Sequence, residues 1–126
     1  DSNRFAGRIG GEEFAMVLAG EPLHAAKELA EALRRDFASL RIDHGDAGGR
    51  ASYTASFGVA MRQPGETILT LLSRADEALY LAKSQGRDRV ACETDVLVHA
   101  LRKATGETPV MERRKYRAGG AFGQPA

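Results

Sequence analysis

Two glutamates, Glu12 and Glu13, follow directly on two glycines, Gly10 and Gly11, in the stretch RFAGRIGGEEFAMVL that runs from Arg4 to Leu18. Neighbours in a regular strand point to opposite faces, so both carboxylates can serve one site only at the edge of a turn, where the pleat breaks down. Placed together they repel each other and resist joint ionisation. A divalent cation removes that repulsion and gains hard oxygen ligands. Magnesium, or manganese in its place, is the natural candidate. It takes one or two protein carboxylates and completes its shell with water and phosphate oxygens, which points toward a nucleotide substrate. Gly10 and Gly11 have no side chains and would let that substrate approach the backbone closely. The same residues also describe a plain hairpin tip with two solvated glutamates, and spacing alone favours that plainer reading.

A second group of charges lies in RADEALYLAKSQGRDRV, Arg74 to Val90. Lys83 falls in the last turn of an expected helix and Arg87 just past Gly86. Cations there complement the helix dipole, which is reason enough for their presence. They are also four residues apart around a helix end, close enough to grip one polyphosphate together.

These groups must be positioned by the elements around them. Phe5 to Ile9 and Glu12 to Leu18, joined by Gly10-Gly11, predict a hairpin. In its second arm Phe14, Met16 and Leu18 take one face and Ala15 and Val17 the other, the pattern of an interior strand covered on both sides. Leu23, Ala26, Ala30, Leu33, Phe37 and Leu40 recur every three or four residues and predict an amphipathic helix over 22–40, with Pro22 in its first turn. Asp43 to Arg50 is a polar, glycine-rich loop, and Ala51 to Met61 reads as another strand. Thr67 caps a second expected helix with its apolar stripe on Ile68, Leu71, Leu72, Ala75, Leu79 and Ala82, stopped by Gly86. A short strand at Arg89 to Cys92 and a short helix at Asp95 to Ala104 follow. Gly106 to Ala126 lacks periodicity and is expected to be extended or disordered. The order ββαβαβ predicts an α/β (α+β) sandwich with antiparallel pairing and helices packed on the sheet. The sheet opens abruptly on an interior-type strand at residue 5, as though an upstream part of the domain were missing.

The 126 residues suit one ordinary domain. Eighteen basic residues balance seventeen acidic ones, and the net charge of +1 gives no field that would mark a nucleic-acid or membrane binder. One cysteine, Cys92, rules out an internal disulfide framework. With neither a signal peptide nor a bilayer-length apolar run, a cytoplasmic setting is expected, although the parent protein could be membrane-anchored. His24, His44 and His99 lack metal-ligand spacing. The basic cluster Arg113, Arg114, Lys115 and Arg117 reads as a solvated segment.

Taken in order, RIGGEEF at 8–14, ASFGVA at 55–60 and ADEALYLAKSQGRDRV at 75–90 resemble the GGDEF family of diguanylate cyclases. The resemblance covers residues 1–92, the C-terminal part of that family's domain, and leaves 93–126 as an extension. It implies a fold like the palm of nucleotide cyclases and some polymerases. It also implies a reaction that joins two GTP molecules into cyclic di-GMP and two pyrophosphates. By position, Glu12 matches the family's metal-binding and catalytic acid and Glu13 its neighbour at the metal. Gly10 and Gly11 match the turn against the nucleotide, Lys83 and Arg87 the residues on the terminal phosphates, and Arg8 an arginine that approaches phosphate. Each domain presents one GTP, so the active form implied is a homodimer, with a sensory domain elsewhere in the parent chain.

Two departures accompany the resemblance. No segment before Asp1 carries the family's further metal-binding aspartate or its guanine-recognition helices, so this chain alone is expected to turn GTP over slowly or not at all. The positions of the family's RxxD product-inhibition motif read DSNR, Asp1 to Arg4, with the charges exchanged. That predicts no feedback binding there. A non-catalytic module that binds GTP or cyclic di-GMP to regulate a partner is the alternative. Asp76 and Tyr80 belong to the family pattern and are expected to pack or to hydrogen bond locally.

Overall fold

A computed structural model describes residues 3–43 and 49–106. Among the described residues nine elements follow in chain order: β1 (Arg4–Gly10), β2 (Glu13–Leu18), α1 (Leu23–Ser39), β3 (Ile42–Asp43), β4 (Arg50–Ala51), β5 (Phe57–Val59), α2 (Ile68–Ser84), β6 (Val90–Cys92) and α3 (Glu93–Ala104). The mixed α/β class is as expected. The strands form three two-stranded pieces: β1 with β2 and β3 with β4 are antiparallel, while β5 and β6 run parallel. Parallel pairing follows from connectivity, because α2 crosses over between β5 and β6. The strand expected over 51–61 is divided. Its first residue pairs back across the glycine-rich loop as β4, and only Phe57–Val59 reaches the parallel pair.

The core lies where α2 meets β5 and β6. Ala78, Leu81, Ala82, Ala91 and Cys92 are buried there, with Val96 of α3 packed against them. The buried face of α2 is therefore set around Ala78, Leu81 and Ala82, whereas Ile68 and Leu72 of the expected stripe are exposed. Small residues win this face because the backbone of β5 approaches the helix directly. A Cβ on Gly58 would come within 2.8 Å of Leu79 Cα and closer still to Ala75 O and Leu79 N. Tyr80, expected to pack or to hydrogen bond locally, is 70% exposed and lies outside the packed face of the helix.

The hairpin departs most from expectation. Its second arm, β2, expected to be covered on both faces, presents Phe14 (72% exposed), Met16 and Val17 to solvent, and β1 presents Phe5 (61%) and Ile9. The reason is topological: among the described residues each strand pairs only with the other. The Asp1 end of the DSNR stretch, His44, residues 107–126 of the tail and its basic cluster lie outside the described residues. Among the described residues no helix is long and apolar enough to cross a membrane.

Candidate functional site

The acidic turn is built by the β1–β2 register. Arg8 pairs with Phe14 and Gly10 with Glu13, so Ile9 is an extra residue on β1 that forms a bulge. The tight turn therefore sits at Gly11-Glu12, one residue later than Gly10-Gly11. Gly11 has φ +45, a left-handed value that glycine adopts without steric cost. Glu12 lies in the turn and Glu13 opens β2, so the two carboxylates stand where the strand alternation has lapsed. Arg8 Nε donates to Gly11 O at 2.8 Å and ties the turn to β1.

The basic end is built by the stop signal of α2. Thr67 caps the start, its Oγ1 accepting the Thr70 N–H at 3.2 Å. At the other end the Gly86 N–H donates to Lys83 O at 3.4 Å and the Arg87 N–H to Ala82 O at 3.0 Å. This is the paired closure of a Schellman motif, with Gly86 at φ 116. Lys83 occupies the last turn. Arg87 and Asp88 then continue in left-handed conformations, at φ 62 and 48, which residues with a Cβ seldom adopt.

The two ends meet: Lys83 Nζ lies 3.7 Å from Glu13 Oε2, with both side chains partly exposed. At that separation the contact is an ion pair without a good hydrogen bond. It contributes little to stability. Among the described residues neither the Glu12 carboxylate nor the Arg87 guanidinium has a hydrogen-bonding or ionic partner. No three histidine, cysteine, aspartate or glutamate side chains converge in the described part of the chain. The oxygen donors at the turn are thus two carboxylates, a set suited to a hard cation that keeps water and phosphate in its shell.

No motif in the sequence marks the residues that surround the basic end. Arg34 on α1 reaches across to it, its Nη1 donating to Asp88 Oδ1 at 2.9 Å while its Nε bonds Glu31. These two carboxylates, Glu31 first, hold the Arg34 guanidinium more firmly protonated than usual. The Asp88 N–H donates to Ser56 Oγ at 3.1 Å, and Arg89 Nε to Arg87 O at 3.1 Å. At the start of α2, Arg74 pairs with Glu66 at 2.6 Å and with Glu93 of α3 at 3.1 Å, and Glu93 accepts the Met61 N–H at 2.6 Å. Hydrogen bonding from Arg74 is the main reason that the Glu66 carboxyl is held down at about 2. Arg4 is engaged by Glu21 through two bonds of 2.7 and 2.9 Å.

The mixed α/β unit thus sets a glycine turn bearing two carboxylates beside a basic helix end, and comparison with known proteins gives its class. The family model for the diguanylate cyclase GGDEF domain matches residues 1–89. The diguanylate cyclase VdcA of Vibrio cholerae is 42% identical over 84 residues, which are 66% of this chain and 25% of that protein. DgcM of Escherichia coli is 43% identical over 83 residues, 66% of this chain and 19% of the relative. Among solved structures, the GGDEF domain of DgcB from Caulobacter crescentus in complex with cyclic di-GMP matches with a TM-score of 0.69 and 37% identity, over 71% of this chain and 52% of that one. The active GGEEF domain of a diguanylate cyclase from Vibrio cholerae matches with a TM-score of 0.61 and 33% identity, over 71% and 56%. The chain belongs to the GGDEF domain family of diguanylate cyclases. It spans a quarter or less of these two curated relatives and about half of the structural neighbours.

Proposed function

We propose that this chain supplies the metal and phosphate side of a diguanylate cyclase, which condenses two GTP into cyclic di-GMP and two pyrophosphates. The observation that carries this is the approach of Lys83 Nζ to Glu13 Oε2 at 3.7 Å, which sets a basic helix end beside an acidic turn. Glu12 and Glu13 would hold magnesium or manganese. When bound, that cation neutralises charge on the reacting phosphates. Lys83 and Arg87 bind the β- and γ-phosphates, stabilising the charge that gathers on pyrophosphate as it leaves. Gly10 and Gly11 give the nucleotide room against the backbone, and Arg8 holds the turn while offering its outer nitrogens to phosphate. The 3′-hydroxyl of one GTP attacks the α-phosphorus of the other, so two copies of the domain face each other across a two-fold axis. Residues 1–92 form this unit and 93–126 extend it.

The test is incubation of the full protein with GTP and magnesium under conditions that favour the dimer, with cyclic di-GMP and pyrophosphate both quantified. Two pyrophosphates per product are expected, and Glu12→Gln should abolish turnover. Absence of product in the dimer would refute the assignment and favour a non-catalytic GTP-binding or cyclic di-GMP-binding module.

A further inference from the structure

We infer that Arg34, on α1 and outside every motif that marks the site, is a positioning residue that sets the phosphate-gripping conformation of Arg87 by anchoring Asp88. The inference rests on the assignment of Arg87 to the GTP phosphates. Its starting point is the backbone: Arg87 and Asp88 are the only non-glycine residues with positive φ among those described, and they are consecutive. Isolated left-handed residues with a Cβ occur at turns, but two in succession persist only when the surroundings over-determine them.

Those surroundings are specific. The Schellman closure fixes the entry to the loop through the Arg87 N–H bond to Ala82 O, and the Phe57 N–H bond to Arg89 O, at 2.9 Å, fixes the exit. Between these points the Asp88 N–H is held by Ser56 Oγ and its carboxylate by Arg34 Nη1. Asp88 thus links the loop to the segment before β5 on one side and to α1 on the other. Arg34 is itself fixed, because Glu31 accepts from its Nε at 2.8 and 3.0 Å. A planar guanidinium held along one edge presents its remaining nitrogens in a set direction, which an ammonium could not do. With Asp88 pinned, Arg87 immediately before it has its ψ and side-chain exit constrained, and its guanidinium is left without a protein partner among the described residues. The ion pair is partly exposed, so its effect on overall stability is small and its effect on the loop is what should be visible.

The experiment measures GTP and GMP affinities of the full protein by competition, for wild type, Arg34→Ala, Asp88→Gly, Asp88→Asn, the Arg34→Ala/Asp88→Gly double variant and Arg87→Ala. Asp88→Gly keeps the left-handed backbone and removes the anchor, whereas Asp88→Asn keeps a left-handed-tolerant residue that can still accept from Arg34. Arg34→Ala and Asp88→Gly should each weaken GTP about fivefold, on the scale of one exposed ion pair. GMP binding should be unchanged, the double variant should be no worse than either single one, and Asp88→Asn should bind like wild type. A general structural role would lower GTP and GMP together, and additive losses would mean that the two residues act separately; either result overturns the inference. If Arg87→Ala leaves GTP affinity unchanged, the assignment of the phosphate site fails first. If Arg87→Ala weakens GTP while Arg34→Ala does not, only the anchoring role is lost.

Discussion

Replacing Gly58 by alanine is the smallest change that should part the core. Its φ is not left-handed, so alanine can adopt the backbone, and on chain entropy alone the substitution would stabilise by about 0.4–1 kcal/mol. Against that stands the approach of β5 to α2. The added methyl would lie 2.8 Å from Leu79 Cα, where carbon atoms settle at about 3.5–4.0 Å, and closer still to Ala75 O and Leu79 N. All three are backbone atoms, so no side-chain rotation relieves the clash. Strand and helix must separate by roughly 1 Å, which loosens the seam among Ala78, Ala82 and Ala91. Overpacking of a tight core costs about 1–3 kcal/mol, and a backbone obstruction belongs at the upper end, so the net loss should be about 2 kcal/mol. Urea denaturation followed by circular dichroism should show a lower midpoint at unchanged slope. Since α2 also carries Lys83, the displaced helix should weaken GTP binding. A Gly58→Ala variant as stable as wild type, or more so, would refute the claim that backbone contact at this point sets the spacing of helix and sheet.

Gly86→Ala should destabilise by about 1 kcal/mol or more, because φ 116 is unfavourable for any residue with a Cβ, and denaturant midpoints will measure it. Glu66 should make stability acid-sensitive. Its pKa falls from the ordinary 4.5 to about 2 on folding, so the stabilisation is complete above about pH 4.5 and is lost as pH drops toward 2. Glu66→Gln should be less stable than wild type at pH 7, with the gap narrowing through that window in pH-dependent urea titrations. Arg4 is already held by two bonds to Glu21, so calorimetric titration with cyclic di-GMP should give the same result for wild type and Arg4→Ala; tight binding abolished by the substitution would show that Arg4 does serve product.

Punctuation by local chemistry was the legible part of this sequence. The Thr67 cap, the Gly86 stop, the hairpin over Gly11, the helix ending at Ser39 and the short strand at Val90–Cys92 each depend on residues within a turn of one another, and each lies within a residue or two of its expected place. Facing was less legible. Spacing of apolar positions places Ala82 on the buried face of α2 but not Ala78 or Leu81, because the contact is set by the backbone of β5 against the helix, which only Gly58, far off in the chain, records. The bulge at Ile9 that moves the turn to Gly11-Glu12 had no marker of its own. Nor did the bond from Arg34 to Asp88, which are 54 residues apart, since one charged residue on a helix is normally solvated.

The candidate site joins parts of unequal firmness. Lys83 and Arg87 stand at the capped end of a helix whose inner face is the core, so their placement is inherited from packing. Glu12 and Glu13 stand on a two-stranded hairpin whose Phe5, Ile9, Phe14 and Met16 are open to solvent, and a lone hairpin of that kind is marginal in water. The 3.7 Å pair of Lys83 with Glu13 is too exposed to hold the hairpin by itself. The distance between the acidic turn and the basic helix end would therefore be set more firmly by any contact that covers those apolar side chains. If the proposed assignment holds, a contact that buries Phe5 and Phe14 changes turnover without touching the nucleotide, because it fixes the acidic turn against the basic helix end.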